Sequence, residues 1–161
     1  MRLFTLLSII LSCFYCTAQE VDEKLCAKIE VRVDKFDGDT TYTTPYKPGY
    51  MDLIHFVKTN GITFMSLKAY GSTLNVGKEG VIILLADGTK IEKPEAKIDA
   101  DVNTSTSGGW DYSAFVRLDD SDIEKLTKST VTDFRLYIYD SKVLPKKAAL
   151  YQQYLKCLVL R

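Results

Sequence analysis

The chain has 161 residues, with 21 basic and 21 acidic side chains and a single histidine. Because the charges balance, no strongly basic surface is expected to follow a phosphate backbone, and nucleic acid is not an expected partner. No block of like charge favours attraction to a membrane surface. The composition fits a chain with one ordinary domain, and it indicates no cofactor and no metal.

The N-terminal residues have the three parts of an export signal. Arg2 supplies the positive start, residues 3–15 form an apolar run, and residues 16–18 include small side chains suited to a signal peptidase. The run is shorter than the roughly 20 residues of an ordinary membrane-spanning helix. We predict a signal peptide over 1–18 and one β-rich domain over 19–161. The mature chain would have no membrane span and would be exported to the periplasm, the cell surface or the medium.

An alternative interpretation concerns Cys13. The run Ile10-Leu11-Ser12-Cys13 resembles the lipobox of bacterial lipoproteins, in which the cysteine becomes the lipidated first residue. Phe14 and Tyr15 follow, however, and continue the apolar run where a lipoprotein usually has a polar tether. Cleavage after residue 18 is therefore preferred, and lipidation at Cys13 stays an alternative.

Two cysteines, Cys26 and Cys157, remain in the mature chain. In an exported protein, two cysteines most simply form one disulfide, which here would join the start of the domain to its end. The alternative is a pair of buried thiols that act as small apolar side chains.

The mature sequence predicts short strands separated by turns, followed by helices. Apolar and polar residues alternate over 27–34, as in a half-buried strand, and Asn60-Gly61 and Asp87-Gly88 are typical of hairpin turns. A single strand is predicted over 132–140. The pattern indicates a mainly β (α+β) fold, a single antiparallel β-sandwich-like domain.

Two helices are predicted late in the chain. Ser121 and Glu124 have the spacing of a capping box and begin a short helix near 121–128. Pro145 suits the first turn of a C-terminal helix near 145–157, in which apolar residues recur at helical spacing.

Candidate binding residues are aromatic. Tyr42, Tyr46 and Tyr50 recur around two prolines in an extended segment, and Trp110 begins a later strand. Exposed aromatic side chains can contact protein or sugar, whereas the same residues could also anchor a long loop to the domain.

Polar residues give weaker indications. Asp99, Asp101, Asn103 and Ser105 alternate as in a calcium loop, but the glycine and glutamate positions of that motif hold Thr104 and Trp110. The single histidine, His55, lies within an apolar strand, and we assign no catalytic residue.

Several stretches resemble a group of small exported β-rich proteins of Bacteroidota that have no assigned function. The resemblance rests on the junction at residues 17–19, on ADGTKIEKPEAKID (86–99), and on YSAFVRLDDSDIEKL (112–126) with VTDFRLYIYD (131–140). It implies a Gram-negative periplasm or cell surface and transfers no functional residue.

The favoured hypothesis is an exported, non-enzymatic domain that binds an unknown protein or glycan, or belongs to an envelope assembly. One alternative is a carbohydrate-binding module that uses the exposed tyrosines. Another is a small hydrolase or a protease-inhibitor-like protein.

Overall fold

The computed structural model describes residues 21–46, 52–102 and 109–161. The predicted signal peptide and Cys13 lie outside these residues. In chain order the elements are α1 (Glu23–Cys26), β1 (Glu30–Val33), β2 (Thr40–Thr43), β3 (Ile54–Thr59), β4 (Ile62–Gly71), β5 (Lys78–Leu85), β6 (Lys90–Val102), β7 (Trp110–Leu118), α2 (Asp120–Lys128), β8 (Val131–Leu136), β9 (Tyr139–Lys142) and α3 (Pro145–Val159).

The strands form one antiparallel sheet in the order β1-β2-β3-β4-β7-β6-β5-β8-β9. Helix α3 contacts both β3 and β8, which lie in opposite halves of this order, so the sheet curls around the helix as a half-barrel. The mainly β prediction is confirmed. The prediction of a β-sandwich was wrong, because the layer that covers the sheet's inner face is a helix and not a second sheet.

The core lies between α3 and the inner face of the sheet. Pro145 occupies the first turn of α3, where its missing N–H has no helical partner to lose. The helix buries an apolar stripe that the sequence predicted, made up of Ala148, Tyr151, Leu155 and Leu158. Burial on β4 alternates strictly over 63–69, so Met65, Leu67 and Ala69 face this stripe while the residues between them face outward.

Both predicted hairpin turns are present. Asn60 and Gly61 have φ angles of 50° and 75°, the left-handed pair that a tight turn between β3 and β4 requires. Gly88, at φ 84°, turns the chain from β5 into β6.

Residues 132–140 do not form the single strand that the sequence predicted. Tyr137 adopts a positive φ of 56°, and the chain reverses there into the β8–β9 hairpin. Ile138, which a single strand would bury together with Phe134 and Leu136, is therefore exposed at the turn. The sequence did not predict this turn, because tyrosine rarely adopts a left-handed conformation.

The first strand is also more exposed than predicted. Ile29 is buried, but the side chains of Val31 and Val33 are 57% and 62% exposed. Strand β1 is the outermost strand of the sheet and pairs only with β2 in the part of the chain that the structure describes.

Helix α2 is capped two residues earlier than the sequence suggested. Asp119 is the N-cap, and it forms a reciprocal capping box with Asp122. Lys93 from β6 reaches both carboxylates, at 2.5 Å from Asp122 and 3.2 Å from Asp119. The acidic residues at this helix start are thus a capping and ion-pairing group.

The predicted disulfide between Cys26 and Cys157 is present and links α1 to α3. Such a bond is compatible with folding in an oxidising compartment. Across 21–46, 52–102 and 109–161, no helix has both the length and the apolar character needed to cross a membrane.

Candidate functional site

The outer face of the sheet, opposite α3, carries the most distinctive cluster of side chains. Strands β3, β4 and β7 are adjacent here, and every second residue on each of them points away from the core. We call this surface the outer platform and define it as Tyr46, His55, Phe64, Ser66, Lys68 and Phe115.

Strand register places the platform residues side by side. His55 lies opposite Ser66, and Ser66 lies opposite Phe115, so these three residues form one row across the sheet. Phe64 lies in the next row and Lys68 in the row on the other side. In antiparallel pairs such neighbours are about 5 Å apart, so one ligand could contact several of them together.

Two aromatic pairs shape the platform. The rings of Phe64 and Phe115 are stacked, with their centroids 4.7 Å apart and their planes 12° apart. Tyr46 leans over His55 with a centroid separation of 5.5 Å. Phe115 is 56% exposed, which leaves a large apolar surface in contact with solvent at the middle of the sheet.

A shallow, open depression of about 320 Å³ lies beside the rings. Its polar lining comes from Asp52, His55, Ser66, Lys68 and Ser113, and Tyr46 also lines it. Hydroxyl, imidazole and ammonium groups therefore converge within reach of an aromatic surface, an arrangement that can orient a ligand by hydrogen bonds while the rings bury its apolar part.

The cation at this site is held in place. Lys68 Nζ lies 2.8 Å from the carboxylate of Asp111 and 5.9 Å from the ring centroid of Tyr70. The hydrogen bond to Asp111 is the main cause of a raised pKa at Lys68, so the ammonium group stays charged at neutral pH.

The imidazole of His55 is neutral at neutral pH. Burial lowers the pKa of His55, and the carboxylate of Glu30 on β1 opposes that shift only in part. A neutral ring can donate one hydrogen bond and accept another.

The rim of the depression is fastened to α3. Asp52 pairs with Lys147 of the helix at 2.6 Å, and the backbone N–H of Leu53 donates to the Tyr151 hydroxyl at 3.2 Å. Burial raises the pKa of Tyr151 to about 12, with the charge of Asp52 as the next cause. These contacts hold the start of β3 against the core.

The structure brings only one of the predicted aromatic residues to the platform, Tyr46. Tyr42 and Trp110 are half-buried and pack toward the core from the inner face. Tyr50 lies outside the described residues.

Sequence reasoning missed Phe64, Lys68 and Phe115. The alternation of β4 and β7 placed them on an outer face. Nothing local in the sequence showed that these two strands are neighbours.

The calcium-like run is only partly visible. Asp99 and Asp101 are exposed on β6, whereas Asn103 and Ser105 lie outside the described residues. Among the residues that the structure does describe, no group of three or more His, Cys, Asp or Glu side chains is placed to hold a metal ion.

Comparisons with protein-family models, with curated proteins and with solved structures found no match to this chain.

Proposed function

We propose that this chain is an exported binding domain that holds a partner on the outer platform and performs no chemistry on it. The observation that carries the proposal is the stacked pair Phe64 and Phe115. The side chain of Phe115 is 56% exposed in the centre of a sheet face. Large aromatic side chains in such positions commonly form the buried centre of a protein interface.

The surroundings of the rings support the same proposal. Lys68 and Asp111 form an ion pair of opposite charges beside the apolar centre, and Ser66 and Ser113 add hydroxyl groups. An apolar centre with a polar margin is the usual composition of an interface that forms and dissociates. The contacts of Asp52 and Leu53 with α3 keep this margin in a fixed position, which reduces the ordering that binding requires.

The cellular location is part of the proposal. A disulfide between Cys26 and Cys157 fits an oxidising compartment, and the N-terminal residues have the pattern of an export signal. Together with the resemblance to exported proteins of Bacteroidota, these features favour an envelope or extracellular partner. N-terminal sequencing of the exported protein should begin at Gln19.

A glycan is the second candidate for the partner. The observation that favours it is the exposed ring of Tyr46 beside a depression lined by serine hydroxyls and Lys68. Sugars stack on aromatic rings and exchange hydrogen bonds with groups of this kind. Tyr42 and Trp110 do not contribute to this surface.

Affinity capture from the native envelope with matched variants tests the proposal. Phe115→Ser removes the exposed ring of the platform, and Ile138→Ser removes a comparably exposed apolar side chain at the β8–β9 turn. We expect Phe115→Ser to lose the partners that the wild-type domain captures and Ile138→Ser to retain them. Equal capture by both variants would contradict the platform as the binding surface.

A glycan array separates the two candidates. Binding of a sugar that Tyr46→Ala abolishes and Ile138→Ser preserves would assign a carbohydrate. Loss of captured protein in Phe115→Ser, without any array signal, would assign a protein partner.

A further inference from the structure

Among the residues that the structure describes, the outer edge of β1 is not paired with another strand. The strand is outermost, and the side chains of Val31 and Val33 are 57% and 62% exposed although they point toward the inner face. Glu30 and Arg32 are exposed on the outer face. Outermost strands present unpaired backbone groups and can pair with another strand.

The hydrogen bonds of the β1–β2 hairpin fix which backbone groups face outward. The N–H of Asp34 donates to Asp39 O at 2.8 Å, so these residues form a hydrogen-bonded pair. Since such pairs alternate along an antiparallel ladder, Glu30 and Arg32 also bond to β2. The N–H and C=O groups of Val31 and Val33 therefore point to the free edge.

The carbonyl of Ile29 points to the same edge. Its N–H is already used, because it donates to Cys26 O at 3.2 Å.

We propose that this edge pairs with β1 of a second copy of the chain, antiparallel and centred on Val31. In this register the Val31 residues of the two copies exchange their backbone hydrogen bonds. Each Val33 N–H meets the Ile29 carbonyl of the other copy, and each Glu30 lies opposite the Arg32 of the other copy.

Charge favours this register over its two nearest neighbours. Only outward-facing residues can form hydrogen-bonded pairs across the edge, so the neighbouring registers are centred on Glu30 or on Arg32. The first would place two glutamates opposite each other, and the second would place two arginines opposite each other. The register centred on Val31 pairs opposite charges on the outer face and valines on the inner face.

The opposite edge of the sheet is less available. Strand β9 contacts β4, and Tyr139 of β9 donates its hydroxyl to Thr73 O at 2.6 Å and accepts from the Asn75 side chain at 2.6 Å, so the segment after β4 packs against this end of the sheet. Asp140 is engaged by Arg135 through two hydrogen bonds. Strand β1 is therefore the better edge for pairing.

Pairing across one short strand buries little area, so the dimer is expected to be weak and to depend on concentration. The symmetry axis of such a pair runs perpendicular to the sheet. Both outer platforms would then face the same side. If each platform binds a partner as proposed, one dimer could bind two sites on the same partner molecule with increased avidity.

Charge variants test the pairing by sedimentation of the mature chain from roughly 10 µM to roughly 1 mM. Glu30→Arg alone and Arg32→Glu alone place like charges opposite each other, and each should weaken the dimer about tenfold or more. The double variant with both changes should dimerise as the wild type does, and an equimolar mixture of the two single variants should form mixed dimers. Single variants that associate as strongly as the wild type would overturn the proposal.

Crosslinking tests the register directly. Under mild oxidation, Val31→Cys should form a disulfide-linked dimer much faster than Phe36→Cys, although the side chain of Phe36 is 87% exposed. Equal rates, a wild-type chain that stays monomeric at all concentrations, or open-ended filaments from pairing of β1 with β9 would each contradict the closed dimer.

Discussion

The sulfur atoms of Cys26 and Cys157 are bonded to each other across a sequence separation of 131 residues. Cys157 is buried on α3, whereas Cys26 is half-buried on the four-residue helix α1. The bond therefore holds a very short helix, which has no fully buried residue of its own, against the main core of the domain.

Removal of this bond should destabilise the protein. In the chain-entropy model, a closed loop of this length stabilises the folded state by up to about 5 kcal/mol, and measured values are often lower. We expect Cys26→Ala/Cys157→Ala to unfold at clearly lower denaturant concentration than the oxidised wild type. Reductant should shift the wild type toward the variant and leave the variant unchanged. Coincident unfolding curves for all three samples would contradict a stabilising role.

The buried hydroxyl of Tyr151 should make stability fall at high pH. Its pKa is raised from 10.0 to about 12 in the folded protein, so between these values the folded state holds more protons than the unfolded chain. The contribution of the protonated Tyr151 hydroxyl to the free energy of unfolding is complete below about pH 10 and is lost as the pH rises toward 12. A shift of this size corresponds to roughly 2–3 kcal/mol.

Denaturant unfolding at pH 9 and at pH 11.5 measures this effect, with Tyr151→Phe as the control. Lysines also titrate in this range and affect both proteins, so the informative quantity is the difference between them. The wild type should lose more stability than Tyr151→Phe over this interval. Parallel losses would show that Tyr151 does not titrate in this way.

A larger side chain at position 71 should destabilise the protein while Tyr139 is present. A Cβ atom on Gly71 would overlap the ring of Tyr139, which stacks on Tyr112 with centroids 4.2 Å apart. Gly71→Ala is expected to cost about 1–3 kcal/mol through this overlap. In a Tyr139→Ala background the same substitution should cost much less. A double-mutant cycle in thermal or chemical unfolding measures the difference, and additive effects would exclude the steric explanation.

Asp119, and not Ser121, should control the stability of α2. Asp119 accepts the Asp122 N–H at 2.9 Å, and this bond is the main cause of a lowered pKa at Asp119. Asp119→Ala should lower the midpoint of thermal unfolding, whereas Ser121→Ala should leave it nearly unchanged. A larger effect of Ser121→Ala than of Asp119→Ala would contradict Asp119 as the N-cap and favour Ser121, which the sequence alone indicated.

Local chemistry explains what the sequence could predict. Asn60-Gly61 favours a hairpin between its flanking strands, because both residues accept a positive φ. The stripe on α3 is likewise a property of one segment. By contrast, the turn at Tyr137 carries no glycine or asparagine and is imposed by the pairing of β8 with β9.

The site required information that no single segment contains. Phe64 and Phe115 are ordinary outward-facing residues on their own strands, and they become a stacked pair only because β4 lies next to β7. The exposure of Val31 also depends on the position of its strand in the sheet, which the local sequence does not show. Its alternating pattern predicted a half-buried strand, but on the outermost strand of the sheet its side chain is 57% exposed.

The disulfide also determines how the protein would respond to mechanical force. Cys26 precedes β1, and Cys157 lies within the last helix, so a pull applied to both ends of the chain passes from α1 directly into α3. The nine strands that the structure describes between them lie outside that path and carry no tension until the sulfur–sulfur bond is reduced. Tension between the two ends of the chain would therefore leave the sheet folded.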